Sequence, residues 1–317
     1  MPRVLFLRTT VLSLSALIAA AGVFAQEHEP SHSERFSRSA PRLEDVERTA
    51  TATLAGVPDD VEALLSRARV RIRLGKLADA LADFERASAL APARADLRAQ
   101  LALAHLRMGS FAEAKFAADA ALALDPENPA ANYTLGLLLL AATTDVDGAA
   151  QRLALAASRG PAAQEVRFDL LRAHARRADR VRTAVELRVL RVLLSPDDAR
   201  IAHGEGLLAA LEGNLDAAVA RFRAAAQGKT QLYVSAVEGP LAIARALTQQ
   251  GKFEQAIALF QQALTRFPEN IEAHHGLALA FEKAGQAEAA RAEFAAIDAL
   301  SRKLGVVSAA TPVGKKP

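Results

Sequence analysis

From about residue 43 onward, apolar residues recur at three- and four-residue intervals in runs of about a dozen. Short breaks carrying Gly, Pro, Asp or Asn separate the runs. This spacing predicts amphipathic helices. Ala and Leu dominate the apolar positions and β-branched clusters are few, so no strand is expected. The pattern then repeats itself. Gly75 and Gly109 lie 34 residues apart, as do Ala80 and Ala114, Ala87 and Ala121, and Pro92 and Pro126. Near the other end, Gly251 and Gly285, Ala256 and Ala290, and Phe260 and Phe294 are again 34 apart. Gly213, Ala218, Phe222 and Ala225 carry the same comb 38 residues ahead of Gly251, Ala256, Phe260 and Ala263. A fixed period of this size is the signature of a solenoid.

Each period reads as two helices with a Gly at the turn between them, as in Leu74-Gly75-Lys76. The recurring Ala sits where two helix backbones approach, the Phe four residues later fills the space beside it, and the terminal Pro ends the second helix. Asp-Pro-Glu-Asn at 125–128 and Phe-Pro-Glu-Asn at 267–270 stop one helix and offer Asn as the cap of the next.

These residues resemble the tetratricopeptide repeat family. The first clear unit runs from Val61 to Arg94 and the second from Ala95 to Asn128. The third starts at Pro129, carries Leu135 and Gly136, and takes a one-residue insertion before Ala149 and Pro161. The fourth, 164–198, departs furthest: it keeps Leu170, but Ala178 replaces the turn Gly and Pro196 falls one place late. The last three begin near Ala199, Val237 and Ile271. The resemblance implies an all-α fold, a right-handed superhelical α-solenoid of antiparallel helix pairs with about seven units. Arg67 and Arg71 stand where the family usually has apolar residues, on the face that would meet a preceding unit. Only Leu43 to Leu54 precedes it, with Glu44, Asp45 and Glu47. That segment is expected to form a helix that caps the open end and pairs with the two arginines.

The first 25 residues read as a secretory signal peptide. Arg3 and Arg8 precede an uncharged apolar run from Val11 to Phe24, and Val23-Phe24-Ala25 offers a small-residue cleavage site. The run is shorter than the ~20 residues that span a bilayer. Residues 26–41 are expected to be a flexible polar leader, 42–56 a capping helix, 57–303 the solenoid and 304–317 a loose tail. The product would be periplasmic or secreted. With no cysteine anywhere there is no lipoprotein anchor, disulfide or thiol chemistry. No further segment has the length and apolarity of a membrane span. A net charge of +3 gives no reason to expect nucleic acid as a partner.

Sequence matches to catalytic motifs lack the context they need. His28-Glu29-Pro30-Ser31-His32 has the spacing of a zinc-protease helix, but Pro30 sits inside it and the segment lies in the polar leader. Gly204-Glu205-Gly206 follows no strand, and Asn132-Tyr133-Thr134 falls within a predicted helix. His105 and His174 occupy large-residue packing positions and are expected to be satisfied, partly buried imidazoles. His274 and His275 point about 100° apart, so they cannot share a metal in the usual helical spacing. No catalytic residue, metal or cofactor is expected.

What remains is surface. The family's groove-facing positions map onto Arg69, Arg73, Arg107, Tyr133, Phe168, Arg172, Arg176, His203, Arg245 and His275, with Glu62, Asp96, Glu165, Glu238, Glu272 and Glu282 among them. Arg69/Arg73 and Arg172/Arg176 are each one turn apart, a spacing suited to a carboxylate. The expected partner is a protein or extended peptide, acidic or with a free C-terminal carboxylate, bound by an exported scaffold in a cell-envelope or secretion assembly. The alternative is an accessory subunit of an exported enzyme complex that binds through its outer face.

Overall fold

A computed structural model describes residues 42–159, 163–227 and 233–305. Among the described residues there are fifteen α-helices and no strand. A single helix, α1 (Leu43–Gly56), precedes seven hairpins. These are α2 (Val61–Arg73) with α3 (Leu77–Leu90), α4 (Ala95–Met108) with α5 (Phe111–Leu124), and α6 (Pro129–Ala142) with α7 (Val146–Arg159). There follow α8 (Ala163–Arg176) with α9 (Arg180–Leu193), and α10 (Ala199–Leu211) with α11 (Leu215–Gln227). The last are α12 (Tyr233–Gln249) with α13 (Phe253–Arg266), and α14 (Ile271–Lys283) with α15 (Ala287–Lys303). The fold is an α-solenoid of helix pairs, as the repeat predicts. Its described part forms two compact units, one ending at Thr134 and one beginning at Leu135. The signal and leader assignments, the His28–His32 motif, Pro161 and residues 306–317 of the expected tail lie outside the described residues.

The repeat comb does the work its spacing implies. Gly75, Gly109, Gly213, Gly251 and Gly285 all turn the chain at φ between 74° and 78°, a region that costs a side chain about 1–2 kcal/mol. Unit four makes the same turn with Ala178 at φ 56°. Unit three uses its extra residue instead, and Asp145 caps α7 by accepting from the Gly148 amide at 2.8 Å. The recurring alanines Ala80, Ala114, Ala149, Ala218 and Ala256 are fully buried. In unit four the equivalent position is Thr183, also buried, whose hydroxyl donates to the Asp179 carbonyl at 2.7 Å.

Phe84 and Phe260 are completely enclosed, and burial of such a ring contributes about 1.5–3 kcal/mol. Phe260 lies against Gly276, where a Cβ would stand 2.3 Å from its Cε1; Phe222 fits between Gly206 and Gly239 in the same manner. Phe294 is partly exposed, and among the described residues no hairpin covers α15. Asn128 and Asn270 cap α6 and α14, accepting from the Ala131 and Ala273 amides at 3.1 and 2.9 Å.

In the first unit, Glu47 of α1 accepts from Arg71 at 3.1 Å and from Lys76 at 2.7 Å. The other half of the expected pairing is different. Asp45 is taken by Arg48 on its own helix, and Arg67 forms a two-pronged bond at 2.9 and 2.6 Å to Asp83 of α3, which Arg71 also reaches at 2.8 Å. The physical reason is proximity: α3 packs antiparallel against α2 and brings its own acid to both arginines.

Candidate functional site

The second unit carries most of the expected groove residues, and it brings them together by its own curvature. The first helices of successive hairpins touch directly, α8 on α10, α10 on α12 and α12 on α14. Arg172 of α8 thus reaches Glu238 of α12, donating from Nε at 2.9 and 3.0 Å and from Nη2, while Nη1 donates to Asp169 at 2.5 Å. His203 of α10 lies between them with its Nε2 3.1 Å from Glu238, and its ring stands edge-on to Phe168 and Phe222 at 5.4 and 5.3 Å. Burial alone would raise the Glu238 carboxyl, but Arg172 and His203 outweigh it and hold it well below the usual carboxylate range. Burial likewise opposes the Arg172 charge, and Glu238 and Asp169 more than restore it.

These positions correct the expected binding set. Phe168, Arg172 and His203 are buried, and the Arg172 guanidinium is filled by two carboxylates of its own chain. A side chain so enclosed cannot grip an incoming peptide. Arg176 is 11% exposed and is likewise engaged, donating to the Leu140 carbonyl at 2.7 Å and to Glu272 of α14. Sequence reasoning placed these groups on one lining but could not see that the lining closes on itself. Ser301 of α15 even donates to the Ala142 carbonyl of α6 at 2.9 Å, joining the two ends of this unit.

Arg245 is more open, its side chain 25% exposed, and shares Glu272 with Arg176. His275, one turn along α14 from Glu272, has its pKa lowered by burial first and then by the Arg176 charge. Burial outweighs Glu272 at Arg176 too and pushes its guanidinium down. Beside these groups lies a cavity lined in part by Thr143, Thr248 and Lys283.

The first unit presents a different surface. Arg69 and Arg73 are exposed on α2, one turn apart, with no ion-pair partner among the described residues. Of the acids expected nearby, Arg94 takes Asp96 at 3.1 and 2.6 Å and Glu62 as well. Arg107 on α4 and Tyr133 on α6 are half-buried.

The remaining candidates resolve on geometry. Asn132 is fully buried and its amide donates to the Pro126 and Asn128 carbonyls at 3.2 and 2.9 Å, so it is closed to glycosylation. Gly204 and Gly206 lie in α10 and serve packing against Leu187 and Phe222. His274 contacts Glu293 at 2.6 Å and the Pro268 carbonyl at 2.9 Å. The Nδ1 atoms of His105 and His174 are buried without a hydrogen-bond partner among the described residues, contrary to the expectation that both would be satisfied. No group of three or more His, Asp or Glu that could hold a metal occurs among the described residues. No helix among them is long and apolar enough to cross a membrane.

No curated protein matches the sequence significantly. Solved structures that align include the anaphase-promoting-complex hetero-tetramer Cut9-Hcn1, at 15% identity and TM-score 0.48 over 84% of this chain and 52% of that one. The chain thus spans about half the length of that relative. A tetratricopeptide repeat protein from Parabacteroides merdae aligns at 17% identity and TM-score 0.46 over 85% of this chain and 99% of its own. The type IV pilus biogenesis factor PilW aligns at 15% identity and TM-score 0.46 over 67% of this chain and 96% of its own. Two family models described as tetratricopeptide repeat match the sequence itself, one over residues 33–95 and 100–163 and the other over 247–303. Together they cover more than half of the chain, and the protein belongs to the tetratricopeptide repeat family.

Proposed function

We propose that this protein is an exported scaffold that binds a protein or extended peptide through the α2 face of its first unit, with an acidic segment or a C-terminal carboxylate as the favoured ligand. Tetratricopeptide repeat proteins bind proteins or peptides and are in general scaffolds rather than catalysts, which supports the class. The observation that carries the site is the contrast between two arginine pairs. Arg172 and Arg176 are consumed by Glu238, Asp169 and Glu272, whereas Arg69 and Arg73 stand exposed at carboxylate-gripping spacing with no ion-pair partner among the described residues. Export rests on the arginine-led apolar run and the Val23-Phe24-Ala25 site.

The test uses the full chain as bait in a cell-envelope extract, beside an Arg69→Glu/Arg73→Glu variant. Loss of the same retained protein in the variant supports the reading, and equal retention removes it. Export is read separately, from cell fractionation and from whether the mature N-terminus is Gln26.

A second reading, an accessory subunit docked through another face, is favoured by an apolar stripe on α9. Val181, Val185 and Val192 fall on one side of that helix, with Val181 71% and Val192 84% exposed. If Val181→Asp/Val192→Asp abolishes retention while the arginine variant does not, this reading replaces the first.

A further inference from the structure

The second unit has a cavity of about 180 Å³, open on one side, between the α6–α7 turn, the ends of α8 and α12, and α14. At roughly 30 Å³ per water it has room for about six waters, well short of the roughly 300 Å³ at which pockets for drug-sized ligands begin. Its charge is unbalanced. Arg176, Arg245 and Lys283 line it against a single carboxylate, Glu272. One oxygen of Glu272 is taken by Arg176 and the other by Arg245. Glu238, whose charge also reaches Arg176, is already held by Arg172 and His203. His275 supplies no negative charge, and burial together with the two arginines favours its neutral form. Arg245 spends only Nη1 on Glu272, and the rest of its guanidinium has no protein acceptor among the described residues.

Two largely buried guanidinia on one carboxylate leave positive charge where little water can screen it. We propose that this cavity is a binding site for a small oxyanion of the phosphate or carboxylate type, gripped by Arg245 with Arg176 and Lys283 beside it. The planar fork of the guanidinium matches the edge of such an anion, and the cavity volume suits a group of that size. The site is independent of partner binding at α2, and either can fail without the other.

Isothermal titration of the full chain at low ionic strength tests it, with inorganic phosphate in one arm and acetate in the other. Saturable one-site binding is expected in at least one arm, and the better arm names the anion. Arg245→Ala removes the unbalanced charge but leaves Arg176 and Glu272 as a neutral pair. It should weaken binding roughly tenfold or more, the effect of losing one charge-assisted bond. Lys283→Ala, on the exposed rim, cannot unfold the helix and should weaken it about threefold. Arg69→Glu/Arg73→Glu should leave the affinity unchanged. Absence of saturable binding in both arms overturns the proposal. So does an unaltered Kd in both Lys283→Ala and a folded Arg245→Ala.

Discussion

Glu238→Gln is the sharpest probe of the second unit, because it removes one charge from its centre while nearly preserving volume. The carboxylate is 5% exposed, accepts two kinds of N–H from Arg172 and faces His203 Nε2 at 3.1 Å. Removing one partner of a buried ion pair costs about 3–5 kcal/mol, chiefly because the other charge is stranded. Asp169 still holds Nη1 of Arg172 at 2.5 Å, so the guanidinium keeps one counter-charge and the expected loss is near the lower end, about 3 kcal/mol. For a cooperative unit of roughly 150–250 residues this lowers the melting temperature by about 6–12 °C. Urea denaturation followed by far-ultraviolet circular dichroism gives the free energy, and a thermal scan gives the shift. A loss below about 1 kcal/mol, the scale of an exposed surface pair, would refute the reasoning. It would mean that solvent reaches Arg172, returning that residue to the set available to a ligand.

Ala178→Gly relaxes the left-handed turn of unit four and should stabilise the protein by about 1 kcal/mol, read as a higher urea midpoint; no change or a loss would contradict the strain. Gly276→Ala places a Cβ 2.3 Å from the enclosed Phe260 ring and should cost about 1–3 kcal/mol by the same assay. Stability should also fall as pH drops through 6.5. His174 and His275 are both held below that ordinary value, chiefly by burial, so the unfolded chain binds protons there that the folded chain refuses. The loss begins near the unfolded value and levels off below the lowered folded ones. It should shrink in a His174→Gln/His275→Gln variant, and a melting temperature that is flat between pH 8 and 5 in the parent would count against it.

Some of this protein was legible residue by residue. The turn glycines at 75, 109, 213, 251 and 285 announce themselves because a left-handed backbone excludes nearly every other choice, and the structure finds all five there. Arg67 and Arg71 were legible as misplaced charges at an end face, and Glu47 on α1 does meet Arg71. Asp83 was not, because an acid in the middle of an otherwise ordinary second helix carries no mark of its partner. The exposed pair Arg69/Arg73 was named correctly as surface, but its rank over Arg172/Arg176 was invisible, since both pairs have identical spacing.

The sequence by itself determined the helices, their pairing into hairpins and the small residues that let hairpins stack, because each depends on neighbours within one period. Only the tertiary structure decided which charges face outward. Arg172 and Glu238 are 66 residues apart, and whether they meet depends on how tightly successive hairpins curl. That curvature is the sum of small rotations set by packing such as Phe222 between Gly206 and Gly239. No local pattern encodes that sum, and it turns a predicted open lining into a buried ion-pair network with a small cationic cavity at one end.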